Sequence, residues 1–301
     1  MSAPSASTTT LVFAGTLGDA FIVLCKLYVQ YKTHGRHFRL IRHSMRPEMD
    51  KPIAQLFGAT PFIDYVTPCR AFDNLDDLHQ ALRNSGYDCI NTHWQKGEGE
   101  TYPLDYDDLN PYPVLQTPTV TVPQDLPNIG IQLHCGAEGS NFRGFSLSWL
   151  AKVRKMLPPE DCHIHLFGTG AACYQKSLVE ALCREHKINN LLGQCSFTQW
   201  LSFIKSMDIF ISLEGFAALF SMSQKVPSIV YNQYACRIDR SICPRWAKDN
   251  AIFYMNSNRW LNKMRWWKRK FLKQDNLYSP GNLRFVREFS HSRGAHAPLA
   301  D

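Results

Sequence analysis

Apolar positions along this chain fall into short runs of strand length, and between them lie segments with helical period. Thr9–Ala14 ends in a continuous apolar run and reads as a buried strand. Gly15–Gly18 reads as a tight turn, and Ala20–Tyr31 as a helix with Phe21, Leu24, Cys25 and Tyr28 on one face at i, i+3, i+4, i+7. The alternation goes on through a strand at Phe38–Arg42, a short helix at Lys51–Phe57, a helix at Leu75–Asn84 opened by acidic residues, and a strand at Cys89–Thr92. Gln95–Tyr112 is too polar and irregular for a core element and reads as a long loop of the functional kind.

Thr117–Asn128 carries Pro118, Pro123 and Pro127 and reads as an interdomain linker. Beyond it the alternation starts afresh. Strands are expected at Ile129–His134, His163–Gly168, Asn190–Leu192, Ile209–Leu213 and Ser228–Tyr231. Helices are expected at Ser146–Met156, Ala172–Glu185, Phe197–Ser206 and Gly215–Ser223. Ser196 followed three residues later by Gln199 has capping-box spacing. Strand–helix alternation predicts parallel sheets, and two such series predict an α/β protein of two Rossmann-like domains facing across a cleft.

Composition narrows the class. The 301 residues are 45% hydrophobic and 20% charged, enough for two ordinary cores and unlike a disordered chain. No apolar run approaches the length of a membrane span, and Met1–Thr10 resembles neither a secretory signal nor a transit peptide. The 10 cysteines form no C-x-x-C pair, so buried reduced thiols and a cytoplasmic protein are expected. The 11 histidines show no ligand spacing, so no metal site is expected, and the absence of G-x-S-x-G excludes the usual serine-hydrolase elbow.

Charge is informative because it is local. Arg259, Lys263, Arg265, Lys268, Arg269, Lys270 and Lys273 stand together without an acid; taking these seven from the 33 basic residues leaves 26, equal to the 26 acidic ones. Trp260, Met264, Trp267 and Phe271 recur through the same segment at helical spacing. The stripe either packs on the body with its bases solvated, or the bases contact a polyanion: nucleic acid, or an anionic lipid-linked glycan at a membrane surface.

Three loops carry candidate chemistry. Gly15-Thr16-Leu17-Gly18-Asp19 follows the first strand, and Asp19 is there either a functional acid at the carboxyl edge of the sheet or a helix cap. His134–Arg143 follows the first strand of the second series. Gly136, Ser140 and Asn141 would let amides and polar side chains approach a diphosphate, and Arg143 offers a fork of donors; a plain surface loop is the alternative. Glu214-Gly215 follows a later strand, where a carboxylate would accept ribose hydroxyls or merely favour the helix dipole.

In their order, these loops resemble those of the heptosyltransferase family of bacterial glycosyltransferases, which have the GT-B architecture. The resemblance rests on Gly15-Thr16-Leu17-Gly18-Asp19, on Ile129–Arg143 followed by Ser146-Leu147-Ser148-Trp149-Leu150, and on Leu166-Phe167-Gly168. It continues through Leu191-Leu192-Gly193, Glu214-Gly215 and Val226–Val230, covering residues 9–235. The family usually has Asp, Ser or Thr, Gly, and a His three residues on in the last element, where this chain has Leu213, Glu214, Gly215 and Ala218. Arg143 stands where Lys is more frequent.

The resemblance implies an inverting, metal-independent transfer from a nucleotide-diphosphate sugar, with no further cofactor. Asp19 would be the general base, with Gly15, Thr16 and Gly18 in the acceptor-side loop. Gly136, Ser140, Asn141 and Arg143 would hold the diphosphate, and Glu214 and Gly215 the ribose or sugar. It also implies an acceptor-side domain at 1–122, a donor domain at 123–275 with the basic helix 259–273, a helix within 276–290 crossing back, and a disordered tail at 291–301. The acceptor is expected to be a bacterial glycan such as lipopolysaccharide core, reached from the cytoplasm or the inner membrane face. Two alternatives stay open: a hydroxylated DNA base as acceptor, and a non-catalytic nucleotide-sugar-binding module.

Overall fold

The computed structural model describes residues 8–44, 46–87, 89–91, 113–135, 143–168, 175–213, 215–232 and 251–255. The loop expected at Gln95–Tyr112, the basic helix at 259–273, the helix expected within 276–290 and the tail at 291–301 lie outside these residues. The chain divides into two compact units, the first running to Pro118 and the second opening at Thr119.

Unit 1 is built from β1 (Thr8–Ala14), α1 (Leu17–His34), β2 (His37–His43), α2 (Asp50–Gly58), β3 (Ile63–Cys69), α3 (Leu75–Asn84) and β4 (Cys89–Asn91). Its strands are all parallel in the order β3-β2-β1-β4, with β1 central and paired from Thr8↔His37 to Ala14↔His43. The helical period of α1 predicts one apolar face, yet Ala20 through Leu27 are buried without a break, because α1 is covered nearly all round. The helix also begins earlier than expected: Leu17 and Gly18 lie within it, and Thr16 stands at its N-cap. Strand β3 was hidden by Asp64, Thr67 and Pro68. Among the described residues it is bonded only to β2, at the edge of the sheet, where a proline is tolerated.

Unit 2 comprises β5 (Asn128–Gln132), the two-residue strands β6 (His134–Cys135) and β7 (Arg143–Gly144), α4 (Leu147–Met156), β8 (His163–Phe167), α5 (Lys176–Glu185) and β9 (Asn189–Asn190). It continues with α6 (Phe197–Lys205), β10 (Ile209–Leu213), α7 (Phe216–Ser223), β11 (Ser228–Asn232) and β12 (Ala251–Met255). Its main sheet is parallel throughout in the order β12-β11-β10-β5-β8-β9. Counted from its own first strand, this is the 3-2-1-4-5-6 order of the doubly wound dinucleotide-binding fold, and unit 1 has the first four strands of the same order. Strands β5 and β10 are buried along their whole length, as befits parallel strands covered on both faces.

A polar clamp sits at the start of unit 2. The His165 ring on β8 bonds through Nε2 to Asn128 Oδ1 on β5 (2.8 Å), and its Nδ1 meets Asn189 Nδ2 on β9 (3.0 Å). Asn128 Nδ2 also donates to the carbonyl of Pro123 (2.7 Å), so one side chain joins the linker to the sheet. An amide N–H at Nδ1 requires a neutral ring. Burial, aided by the charge of His163, pushes the His165 pKa down to about 4.

Because the folded state disfavours the proton, this contribution to stability is intact above about pH 6.5, the ordinary histidine value, and is lost as pH falls toward about 4. The expected loss is on the order of 2 kcal/mol across that window. His165→Gln should be less stable at pH 7 but flatter between pH 6.5 and 5, as read from urea unfolding of both proteins; parallel pH curves would contradict the clamp.

Candidate active site

In an open parallel sheet the ligand crevice lies at the carboxyl ends of the strands, where the strand order reverses. In unit 1 that point is beside β1, and the chain there runs through Gly15 into α1. Gly15 has φ +134, a conformation that side chains rarely adopt, and an added Cβ would lie 2.5 Å from Asp19 Cβ and 2.7 Å from Asp19 Oδ2. Glycine is therefore required both by the turn and by the carboxylate folded over it. The Thr16 backbone N–H donates to Asp19 Oδ2 at 2.6 Å, and the Thr16 hydroxyl donates to the same oxygen at 2.9 Å. Asp19 thus does close the start of α1, the capping role open to it from sequence, but it spends one oxygen in doing so. Both of these bonds go to Oδ2 of the half-buried carboxylate, and no described group bonds to Oδ1. Gly15, Thr16, Gly18 and Asp19 all lie in the turn into α1 and its first residues.

Below this turn lies an ionic cluster that the sequence reading missed. Arg42 at the end of β2 is 1% exposed. Its Nη1 bonds to Asp50 Oδ1 at the start of α2 and lies 3.2 Å from Ser44 Oγ, and its Nη2 donates to the Gly15 carbonyl at 3.3 Å. Ser44 Oγ donates to the same Asp50 oxygen (2.6 Å), and Arg70 Nη2 to Asp50 Oδ2 (2.6 Å). Burial alone would raise the Asp50 carboxyl, but hydrogen bonds from Arg70 and Ser44 and the charges of Arg42 and Arg70 hold it below its ordinary range. Burial also pulls the Arg42 guanidinium down, against Asp50. One sign was available in advance: Phe38, Leu40 and Arg42 share the same phase of β2 and are all buried, so a cation occupies a core position and needs a buried acid.

Unit 2 has its own reversal of strand order, between β5 and its neighbour β10. From the end of β5 the chain forms the antiparallel ribbon β6–β7, in which His134 pairs with Gly144 and Cys135 with Arg143. The ribbon is tied to the strand by the Phe145 N–H bonded to the Leu133 carbonyl (2.9 Å). Arg143 is thereby placed just past the carboxyl end of β5 by its backbone; its side chain lies outside the described structure. Helix α4 begins next, with Ser146 Oγ accepting the Trp149 N–H (3.1 Å), and Trp149 stacks on Phe145 at 4.0 Å between ring centres.

At the end of the adjacent strand, Gly215 takes φ 150 and forms the N-cap of α7 without any side-chain cap. The N-terminus of α7, with its positive dipole end, thus lies at the same sheet edge. The candidates Gly136, Ser140, Asn141 and Glu214, like the bases Arg259, Lys263, Arg265, Lys268, Arg269, Lys270 and Lys273, lie outside the described residues. Among the described residues no three His, Cys, Asp or Glu side chains gather as a metal site, and no helix is long and apolar enough to cross a membrane.

No family model matches the chain, and no curated protein matches it in sequence. Solved structures do. A glycosyl transferase family 9 protein of Veillonella parvula superposes with a TM-score of 0.62 at 12% identity, over 95% of this chain and 97% of that one. The heptosyltransferase WaaC of E. coli, solved with ADP, gives 0.58 at 10% identity over 94% of this chain and 100% of that one. The chain has the heptosyltransferase fold. The E. coli ADP-heptose lps heptosyltransferase II gives 0.52 at 14% identity over 83% of this chain and 91% of that one. The likeness thus takes in both Rossmann-like units.

Gly15→Ala should destabilise the protein by about 1–3 kcal/mol, since it combines backbone strain with a collision on Asp19. Gly58→Ala, at the last residue of α2 with open space around it, should be neutral or stabilising by up to about 1 kcal/mol. Denaturant unfolding of the two variants checks the pair; equal effects would contradict this description of the turn.

Proposed function

We propose that the chain is a glycosyltransferase that moves a sugar from a nucleoside-diphosphate sugar to an acceptor hydroxyl with inversion at the anomeric carbon. The observation that carries this reading is the likeness of 94% of the chain to the whole of a heptosyltransferase solved with ADP. The carboxylate held at the reversal point of unit 1 supports it.

In the proposed reaction Asp19 takes the acceptor proton on Oδ1 while Oδ2 keeps its bonds to Thr16, so the base does not turn as it works. The acceptor oxygen bonds to the anomeric carbon, the bond from that carbon to the diphosphate breaks, and the nucleoside diphosphate leaves with the electron pair. Unit 2 receives the developing charge: the N-terminal turn of α7, whose dipole favours an anion, the start of α4, and Gly136, Ser140, Asn141 and Arg143 of the loop after β5. Glu214 and Gly215 hold the ribose or sugar. No metal takes part, and EDTA should leave the rate unchanged.

The acceptor is a bacterial glycan, with lipopolysaccharide core as the first candidate, met in the cytoplasm or at the inner membrane face. The seven bases between Arg259 and Lys273 favour one second reading, in which the acceptor is a hydroxylated base in DNA. Retention on duplex DNA that weakens steeply with salt would favour that reading; binding to anionic glycolipid alone would favour the first.

A transfer assay over ADP-, UDP- and GDP-sugars tests the proposal. Asp19→Asn keeps an acceptor for the Thr16 N–H but loses the base, so turnover should fall about 10²- to 10⁴-fold with donor affinity nearly unchanged. A fully active Asp19→Asn enzyme would remove Asp19 from the chemistry. Binding of donor with no transfer to any acceptor would leave a nucleotide-sugar-binding module.

A further inference from the structure

The Arg42 cluster and the Asp19 carboxylate grip the two ends of one peptide group. The carbonyl of Gly15 and the N–H of Thr16 belong to the same planar unit. Arg42 Nη2 bonds to its oxygen and Asp19 Oδ2 to its hydrogen, at 3.3 and 2.6 Å. Turning this peptide about its flanking bonds would break both contacts at once, and a glycine at φ +134 offers little steric resistance to such a turn. The restraint must come from outside the loop, and Arg42 is the side chain placed to supply it.

We propose that Arg42 is a positioning residue: held by Asp50, it fixes the Gly15–Thr16 peptide and through it the Asp19 carboxylate. This rests on the proposed function in assigning the reaction to Asp19; the clamp itself does not. Three features support it. Arg42 is 1% exposed, and the carboxylate its fork bonds directly is that of Asp50, with the charge of Glu48 adding to the attraction. Asp50 is in turn held at its other oxygen by Arg70 and at the shared oxygen by Ser44, which stops the anion from rotating away. The cation at the carbonyl end also polarises the peptide, strengthening the N–H bond to the carboxylate at the other end. Lysine would be a poor substitute, because a single ammonium is a point charge without the planar fork that meets both Asp50 and the Gly15 carbonyl.

The test uses the full chain with Arg42→Met and Arg42→Lys, and reads amide hydrogen exchange by NMR beside steady-state kinetics. Exchange of the Thr16 N–H should rise at least about tenfold in Arg42→Met and less in Arg42→Lys, the order in which the fork is lost. The Gly35 N–H, which caps the far end of α1 by bonding to the Tyr31 carbonyl at 2.8 Å, should keep its wild-type rate and so reports that the unit is still folded. With an accepted donor, kcat should fall about tenfold and the donor KM stay level, with partial recovery in Arg42→Lys. Thr16 exchange and kcat both at wild-type levels would overturn the proposal. So would a joint loss of protection at Thr16 and Gly35 in both variants, which would make Arg42 a general support of the fold. If the wild type transfers no sugar from any donor, the proposed function falls, while the Thr16 and Gly35 rates still decide the clamp.

Discussion

A strand that runs parallel to its neighbour cannot be joined to it by a hairpin; the chain must cross back over the sheet, and the crossovers among the described residues are helices. Every strand of the two main sheets is subject to that constraint. Its consequence is that strand ends and helix starts collect at one edge of each sheet, where backbone amides lack partners and helix dipoles present positive charge. Where the strand order reverses, neighbouring crossovers depart to opposite faces and leave a gap. Asp19 stands at that gap in unit 1, and Leu133 and Gly215 flank it in unit 2. Chemistry at these points follows from topology before any side chain is chosen.

The two units then treat their gaps differently. Unit 1 places an anion at its gap, beside a partly buried chain of ions, Arg42 on Asp50 on Arg70. Such a cluster contributes little net stability once desolvation is counted, but it fixes directions, which suits a carboxylate that must meet an incoming hydroxyl. Unit 2 has a glycine, Gly215, at the N-cap of the helix beside its gap, and its buried Arg154 is used elsewhere. Arg154 donates only to the carbonyls of His186, Leu157, Cys162 and Lys187 and to the Cys162 sulfur, tying loops together far from the strand ends.

Much of this was legible in the sequence for identifiable reasons. Helix α3 has the expected bounds because Asn74 caps it by accepting the Asp77 N–H and Asp76 and Asp77 fill its first turn. The buried strands declared themselves as apolar runs, and the G-x-L-G-D segment led to the turn at Gly15 and Asp19. Strand β3 stayed hidden because its proline and its alternating polar residues follow edge-strand rules rather than core rules. The Arg42 cluster was not read because Arg42, Ser44, Asp50 and Arg70 come from segments that only the β1–β2–β3 register brings together. Ser44, Asp50 and Arg70 each look like ordinary surface residues, and only the strand phase of Arg42, shared with Phe38 and Leu40, hinted at burial.

The central claim is that a nucleoside diphosphate binds at the carboxyl edge of the unit 2 sheet. Hydrogen–deuterium exchange with and without ADP, UDP or GDP tests it most directly. At least one of the three should slow exchange at Leu133, Phe145, Phe216 and Ala217, and leave strand starts such as Asn128 and His163 unchanged. Protection confined to those strand starts, or no protection from any of the three nucleotides, would contradict the account.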